Sequence, residues 1–305
     1  MLITALILLA AVVLDWLLGE PRRWHPLVGF GYLASYVERK VYGSSTVTSL
    51  ARQLRGIFAL VLMLLTFTCV AALLTLLPGV GSILSMLMLY LAIGHKSLHD
   101  HARPVIVALQ NNDNDEARRL ATCMVSRDSA ALDITGATTE SVLENGNDGV
   151  FAVLFWFVIA GGAGAVMYRL ANTLDAMWGY RNNRYQNFGW AAARFDDLLN
   201  YIPARITAMT YAFLGKTRLA VSCWRTQAPM WDSPNAGPVM AAGAGALGIT
   251  IGGPACYQGE WHQRPILGAG KVSGVLDIER ALRLVRHGVW LWILLLLIAG
   301  GITNA

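Results

Sequence analysis

The chain has 305 residues, 55% hydrophobic and 14% charged, where an ordinary soluble domain carries roughly 25% charged residues. That is the balance of a membrane protein. Its net charge of +5 comes without the basic stripe and interleaved aromatics of a nucleic-acid binder, and Cys69, Cys123, Cys223 and Cys256 are too widely spaced for a zinc site or a disulfide framework.

In chain order, Leu2 to Leu18 is apolar except for Asp15. It lacks a basic leader and a small-residue cleavage site, which predicts an uncleaved anchor rather than a signal peptide. Arg22, Arg23, Arg39, Lys40, Arg52 and Arg55 follow within one short loop, and this excess of basic residues predicts a cytoplasmic loop with the N-terminus outside. Residues 57–77 form an uncharged run long enough to cross about 30 Å of hydrocarbon. After the turn LPGVG, residues 79–94 return, so the chain re-enters the cytoplasm at His95.

The polar middle, 95–148, reads as helical. His95 and His99 have the spacing of a zinc-protease helix, but Lys96 stands where its glutamate belongs, so they read as polar anchors. Asp113 followed by Glu116 resembles a capping box, with Ala117, Leu120, Ala121 and Met124 on one face behind it. In TTESVLENGNDG, a helix would put Glu140, Glu144 and Asp148 on one face.

Residues 149–170 are apolar but interrupted by GGAGA, which predicts a broken or re-entrant element lining a cavity. Asp175, Asp196 and Asp197 come next, interleaved with Arg181, Arg184 and Arg194. Carboxylates that hold Mg²⁺ and arginines that clamp phosphate are the minimum equipment for phosphoryl transfer. Sequence 201–222, with Arg205, Lys216 and Arg218, reads as an interfacial helix.

The GAGALG string at Gly243–Gly248 matches a dinucleotide fingerprint only in letters. Two prolines precede it, no strand pattern leads into it, and the acidic ribose partner is missing, so it reads as a small-residue packing face. Neither Gly-Lys pair is a P-loop, because Thr210 and Pro265 occupy the position of the required glycine. A charge-ordered helix from Asp277 to His287 leads to a last span at 289–304. Period-2 strand patterns are nearly absent, so the expected fold is an all-α, polytopic integral membrane protein: one domain over 1–305, with cytoplasmic helices and loops forming the site.

DWLLGEPRRWHPLVGFG, RDSAALD, ESVLENGNDGVFAVLFW, NTLDAMWGYRNNRYQNFGWAAARFDDLLNYIPAR and SPNAGPVMAAGAGALGITIGGPACYQG occur in this order. Together, from about Asp15 to about Gly268, they closely resemble the CobD/CbiB family, the adenosylcobinamide-phosphate synthases of cobalamin biosynthesis. The resemblance implies a multi-pass ligase of the bacterial inner membrane, its site facing the cytoplasm. It would join adenosylcobyric acid to aminopropanol phosphate, or aminopropanol, at the expense of ATP with Mg²⁺. Homo-oligomers or complexes with other enzymes of the pathway stay open.

The family pattern carries over to Asp15, Gly19, Pro21, Glu140, Glu144, Asn145, Asp148, Gly149, Asn172, Asp175, Gly189, Arg194, Asp196, Asp197, Pro234, Asn235, Gly237 and Tyr257. Within that set, joined by Arg181 and Arg184, the expected catalytic groups are Asp148, Asp197 and Arg194. The expected metal ligands are Glu140, Glu144, Asp175 and Asp196. Asp15, Arg181, Arg184, Asn172, Asn235, Gly237 and Tyr257 would bind substrate or phosphate. The chain departs from the pattern at Val153, where proline is expected, and at Pro238, often aromatic. A non-enzymatic carrier or scaffold for corrinoid enzymes is the alternative, which the lack of an inverted repeat disfavours.

Overall fold

The computed structural model describes residues 1–21, 25–44, 47–125, 127–128, 132–257 and 259–303. Arg22 and Arg23 of the basic loop, Ser129 to Ala131 of RDSAALD, Gln258, and Asn304 at the end of the last expected span lie outside the described residues. The protein is all-α, 76% helical. Among the described residues, four stretches are long and apolar enough to cross a membrane: Ser49–Thr75, Gly81–Gln110, Ile134–Trp178 and Val275–Ile302. Leu2–Leu18 is a shorter apolar helix. All four cysteines are free.

The chain folds into two compact units. The first comprises Met1–Gly94, Ala152–Asn200 and Leu296–Ala305; the second comprises His95–Phe151 and Tyr201–Leu295. The first unit packs α1 (Leu2–Leu18), α2 (Pro26–Val41), α3 (Ser49–Thr75), α4 (Gly81–Ala92) and α8 (Ala152–Trp178) together. Glycine sets how closely they pack. A Cβ on Gly56 of α3 would sit 1.9 Å from the Phe188 carbonyl oxygen, and one on Gly189 would sit 1.6 Å from that of Trp178.

The GGAGA interruption is a true break. Ala160 and Gly161 leave helical geometry, Gly161 at φ 61°, and Ser85 Oγ on α4 accepts the Gly162 amide at 2.9 Å. A backbone donor without its helical partner is satisfied by a neighbouring helix, as an apolar surround demands.

In the second unit, α5 (His95–Gln110), α6 (Asn114–Ala121) and α7 (Ile134–Gly146) share an apolar cluster that includes Val105, Ala117, Ala121 and Ala137. Asp113 caps α6 through its side chain, which accepts from the Glu116 amide at 3.0 Å. Helices α9 (Tyr185–Phe188) and α10 (Trp190–Leu214) are followed by α11 (Thr217–Gln227), α12 (Ala236–Leu247) and α13 (Val275–Ile302).

Gly243 to Leu247 of the GAGALG string lie in α12, every residue of which is buried, and Gly248 ends the helix at φ 68°. The helix packs on α11, and a Cβ on Gly245 would lie 2.8 Å from the Ala220 Cα. A small-residue face lets the two backbones approach. Pro238 lies in the first turn of α12, where its missing N–H costs no helical bond. Val153, fully buried in α8, lets the helix run on where proline would have removed a donor.

Gly245→Ala is expected to destabilise the protein by about 1–3 kcal/mol, because Ala220 backbone cannot yield. Gly29→Ala, in α2 with nothing within 4 Å of the new methyl, is expected to be stabilising by about 0.5–1 kcal/mol. Thermal unfolding of the two purified variants checks both signs.

Among the described residues, five short strands depart from the expectation of almost no strand. β1 (Ile249–Gly252) pairs antiparallel with β4 (Ile266–Gly268) and parallel with β5 (Lys271–Val272); β2 (Ala255–Tyr257) and β3 (Glu260–His262) form a separate antiparallel pair. Each has only 2 to 4 residues, too few for alternation to register in sequence. They leave the fold class unchanged and hold one wall of the candidate site.

Candidate functional site

The second unit contains a cavity of about 400 Å³, and its walls are mostly polar. Helix α7 supplies Glu140 and Glu144, one turn apart on the same face. Asp133 caps this helix, accepting from the Gly136 amide at 3.2 Å, so the carboxylates stand on a secured frame.

Glu140 is only 3% exposed and bridges two arginines, Arg127 and Arg264, whose side chains are 12% and 13% exposed. Arg264 Nη1 donates to Glu140 Oε2 at 3.0 Å, and Arg127 Nη2 donates to the same oxygen. The Gly252 amide at the end of β1 donates to Oε1 at 2.9 Å. Arg264 Nε also donates to the Gly253 carbonyl at 3.0 Å, and its guanidinium lies 5.1 Å from the Trp231 ring centroid.

One carboxylate thus orients two cations that line the cavity. Buried ion pairs of this kind need extra hydrogen bonds to offset desolvation, and the Gly252 amide and Gly253 carbonyl provide two. Sequence reasoning missed Arg127, Arg264 and the nearby Trp231 and Asp232. Arg127 opens the RDSAALD motif and was legible there; Trp231 and Asp232 come from the loop between α11 and α12, and Arg264 from the loop between β3 and β4.

Tyr257 also lines the cavity, within electrostatic reach of Arg127. Gly237 serves a different purpose from phosphate contact: a Cβ there would lie 2.9 Å from both the Ala228 carbonyl oxygen and Trp231 Cβ. Its lack of a side chain admits the loop that carries Trp231. Asn235 is buried and accepts from Arg205 Nη1 at 2.6 Å, while Arg205 Nη2 donates to the Pro234 carbonyl at 2.9 Å.

Asp148 does not line this cavity. The α-helix ends at Gly146, and residues Asn147–Phe151 form a π turn, which breaks the four-residue stepping that would align Asp148 with Glu140 and Glu144. Asn147 Nδ2 donates to Asp148 Oδ1 at 2.8 Å, and Thr207 Oγ1 donates to Asn147 Oδ1 at 2.8 Å.

In the first unit, Asp175, Asp196 and Asp197 lie within electrostatic reach of one another. Asp196 is 8% exposed; its oxygens accept from Asn172 Nδ2 at 3.3 Å and Asn200 Nδ2 at 3.0 Å. Tyr168 in turn donates to Asn200 Oδ1 at 2.9 Å. Burial pushes the Asp196 carboxyl up to about 6, with Asp197 adding to the rise and the two asparagine amides opposing it. Asp197 is also raised by burial, against the pull of Arg194 and Arg181. Arg194 Nη1 lies 3.7 Å from Asp197 Oδ2.

Arg184 is drawn to a different partner. Its guanidinium donates to Glu38 Oε1 at 2.6 and 3.0 Å and lies 4.9 Å from the Tyr42 ring centroid. Glu38, on α2, is buried and was not singled out from sequence. Asp15 is fully buried in α1, within electrostatic reach of Tyr90, whose hydroxyl donates to the Gly19 carbonyl at 2.7 Å.

The four expected metal ligands therefore divide between the units: Glu140 and Glu144 in the second, Asp175 and Asp196 in the first. Among the described residues, no group of three or more His, Cys, Asp or Glu side chains has metal-holding geometry. Mg²⁺ is usually held through one or two carboxylates together with substrate phosphates. The second-unit cavity fits that pattern, with Glu144 and Asp232 as oxygen donors beside the Arg127 and Arg264 guanidiniums.

Comparison with known proteins agrees with the sequence resemblance. The CobD/Cbib protein family model matches residues 8–285. The cobalamin biosynthesis protein CobD of Stutzerimonas stutzeri is 57% identical over 295 residues, covering 96% of each chain. That of Chromobacterium violaceum is 55% identical, covering 99% of this chain and 98% of its own. The Mycobacterium tuberculosis protein of the same name is 38% identical, with 91% and 90% covered. No solved structure matches. With its family match spanning nearly the whole chain and relatives this similar from end to end, the protein belongs to the CobD/Cbib family of cobalamin biosynthesis.

Proposed function

We propose that the protein is an ATP-dependent amide ligase that joins adenosylcobyric acid to aminopropanol phosphate, or to aminopropanol, giving adenosylcobinamide phosphate or the corresponding cobinamide. The observation that carries this reading is the second-unit cavity, where a buried glutamate aims two guanidiniums beside a second carboxylate. Paired guanidiniums recognise phosphate oxygens through charge-assisted hydrogen bonds, and a partly desolvated setting strengthens them.

Condensing a carboxylate with an amine in water is uphill, so the carboxylate must first become a better electrophile. In the proposed sequence the corrinoid propionate attacks the γ-phosphorus of ATP, forming an acyl phosphate and releasing ADP. The amine then attacks the acyl carbon, and the C–O bond to phosphate breaks, releasing inorganic phosphate. Arg127 and Arg264 bind the transferring or leaving phosphate. Glu144 and Asp232 are the carboxylates for Mg²⁺, whose chemistry is to neutralise charge on the nucleotide phosphates. Asp148 and Asp197 both lie off the lining of this cavity, and each is proposed only as an acceptor, by way of water, of the proton that the ammonium loses; asparagine at each distinguishes them.

We also propose a bacterial inner-membrane location with the chemistry on the cytoplasmic side, from the run of basic residues between Gly19 and Arg55. The test is mass spectrometry of a reaction holding the purified chain, adenosylcobyric acid, aminopropanol phosphate and Mg-ATP. Equimolar amide product, ADP and phosphate are expected, with ¹⁸O passing from labelled propionate into phosphate. Corrinoid flux across vesicles without any amide product would instead support the carrier reading.

A further inference from the structure

The first unit contains a second cavity, of about 450 Å³, whose chemistry is opposite to that of the first. Helices α2, α3, α4 and α8 line it with apolar side chains, among them Phe30, Phe67, Leu74 and Met88, and Arg169 is the charged group in its wall. Its volume falls in the range of about 300–1,000 Å³ typical of small-molecule sites. Helix α8 and its neighbours α3 and α4 belong to stretches of membrane-crossing length and hydropathy. A cation in the wall of an apolar chamber calls for a partner.

None of the described residues provides one. The buried Arg169 Nε has no hydrogen-bond acceptor, and the same is true of the buried His25 Nε2. His25 caps α2: its Nδ1 accepts from the Leu27 amide at 3.2 Å. With Nδ1 acting as acceptor, a neutral ring carries its proton on Nε2, which is therefore a donor. His25 feels the charges of Arg169 and Glu20, yet neither unmatched donor bonds to Glu20. Arg169 lines the chamber and His25 stands one residue before its Pro26 wall; buried donors are seldom left unmatched, so acceptor oxygens are the missing group.

We propose that this cavity binds one anionic phospholipid of the surrounding bilayer, with an acyl chain between α2, α3, α4 and α8 and headgroup phosphate oxygens accepting from Arg169 and His25. The apolar lining selects a hydrocarbon tail, and the guanidinium selects a net negative headgroup over a zwitterionic one. A soluble phosphate would leave the apolar walls unfilled.

The full chain, reconstituted in phosphatidylcholine nanodiscs, is exposed to a phosphatidylglycerol carrying a diazirine in its acyl chain or to the matching phosphatidylcholine probe. Labelled peptides are then mapped. Labelling between Phe67 and Leu74 and at Met88 is expected to be about tenfold stronger with the anionic probe, a ratio in keeping with one charge-assisted contact. R169Q is expected to bring the two probes level, R169K to keep most of the preference, and L74W, which fills the chamber with Arg169 intact, to suppress both labels.

Equal labelling of wild type by the two probes would overturn the proposal, as would R169Q labelling like wild type. Displacement of the anionic probe by inorganic phosphate would overturn it too, by assigning the donors to a soluble anion. The wild-type comparison and the phosphate competition decide the matter even if R169Q does not fold.

Discussion

Replacing Glu140 by glutamine is expected to lower both the stability of the protein and the amide formation proposed for it. Arg127 and Arg264 are nearly as buried as the carboxylate between them. Removing the negative charge leaves two desolvated guanidiniums facing each other, and breaking a buried pair in this way costs about 3–5 kcal/mol. The amide can still accept from the Gly252 amide, so the β1 contact survives while the clamp loses its orientation. A misplaced phosphate-binding group lowers the rate by about 10²-fold.

Thermal unfolding and initial rates of ADP release measure the two effects. Glu140→Asp, which keeps the charge on a shorter arm, is expected to recover part of the stability but little of the rate. An E140Q protein with wild-type unfolding and wild-type turnover would remove the clamp from the proposed chemistry.

The second large effect is expected at Asp196, where stability and activity should move in opposite directions. Its carboxyl titrates near about 6 in the folded chain, above an ordinary value of 3.8, chiefly because it is buried. Between these two values the folded state binds more protons than the unfolded state, so its stability falls as pH rises through the window. The favourable contribution is complete below the unfolded value and gone above the folded one.

Asp196→Asn abolishes that slope and removes the burial penalty of the charge. The variant should unfold at a higher temperature than wild type above about pH 7, and show a flatter profile from about pH 4 to 6. Under the proposed function amide formation should fall, since a carboxylate kept buried at a cost in stability is one expected to serve activity. Asp197→Asn, at a less buried position paired with Arg194, should leave unfolding almost unchanged and abolish amide formation. An unaltered pH profile in D196N would show that Asp196 does not titrate in this window.

Local signals were readable wherever neighbouring residues decide the outcome. The Asp113 cap, the GGAGA break and the tight packing of GAGALG depend on propensity, side-chain size and backbone freedom within a few positions. The candidate site was only half legible. Glu140 and Glu144 stand out as paired carboxylates, but nothing near them in sequence indicates that Arg127 and Arg264 will close on Glu140 from 13 residues before and 124 residues after it. Asp148 looked aligned with them because a four-residue step was assumed to continue, and the π turn ends that regularity. Arg184 looked like a free phosphate ligand until Glu38, 146 residues away, claimed it.

Composition and patterning alone determined the membrane-length helices, the all-α class and, through ordered motifs, the family. These follow from how apolar runs partition and how rare residue types are strung along the chain. Tertiary structure alone decided which charges meet. A buried carboxylate binds whichever cation packing brings within hydrogen-bond reach, and the pressure to match it comes from desolvation, which acts on spatial neighbours and not on neighbours in the chain.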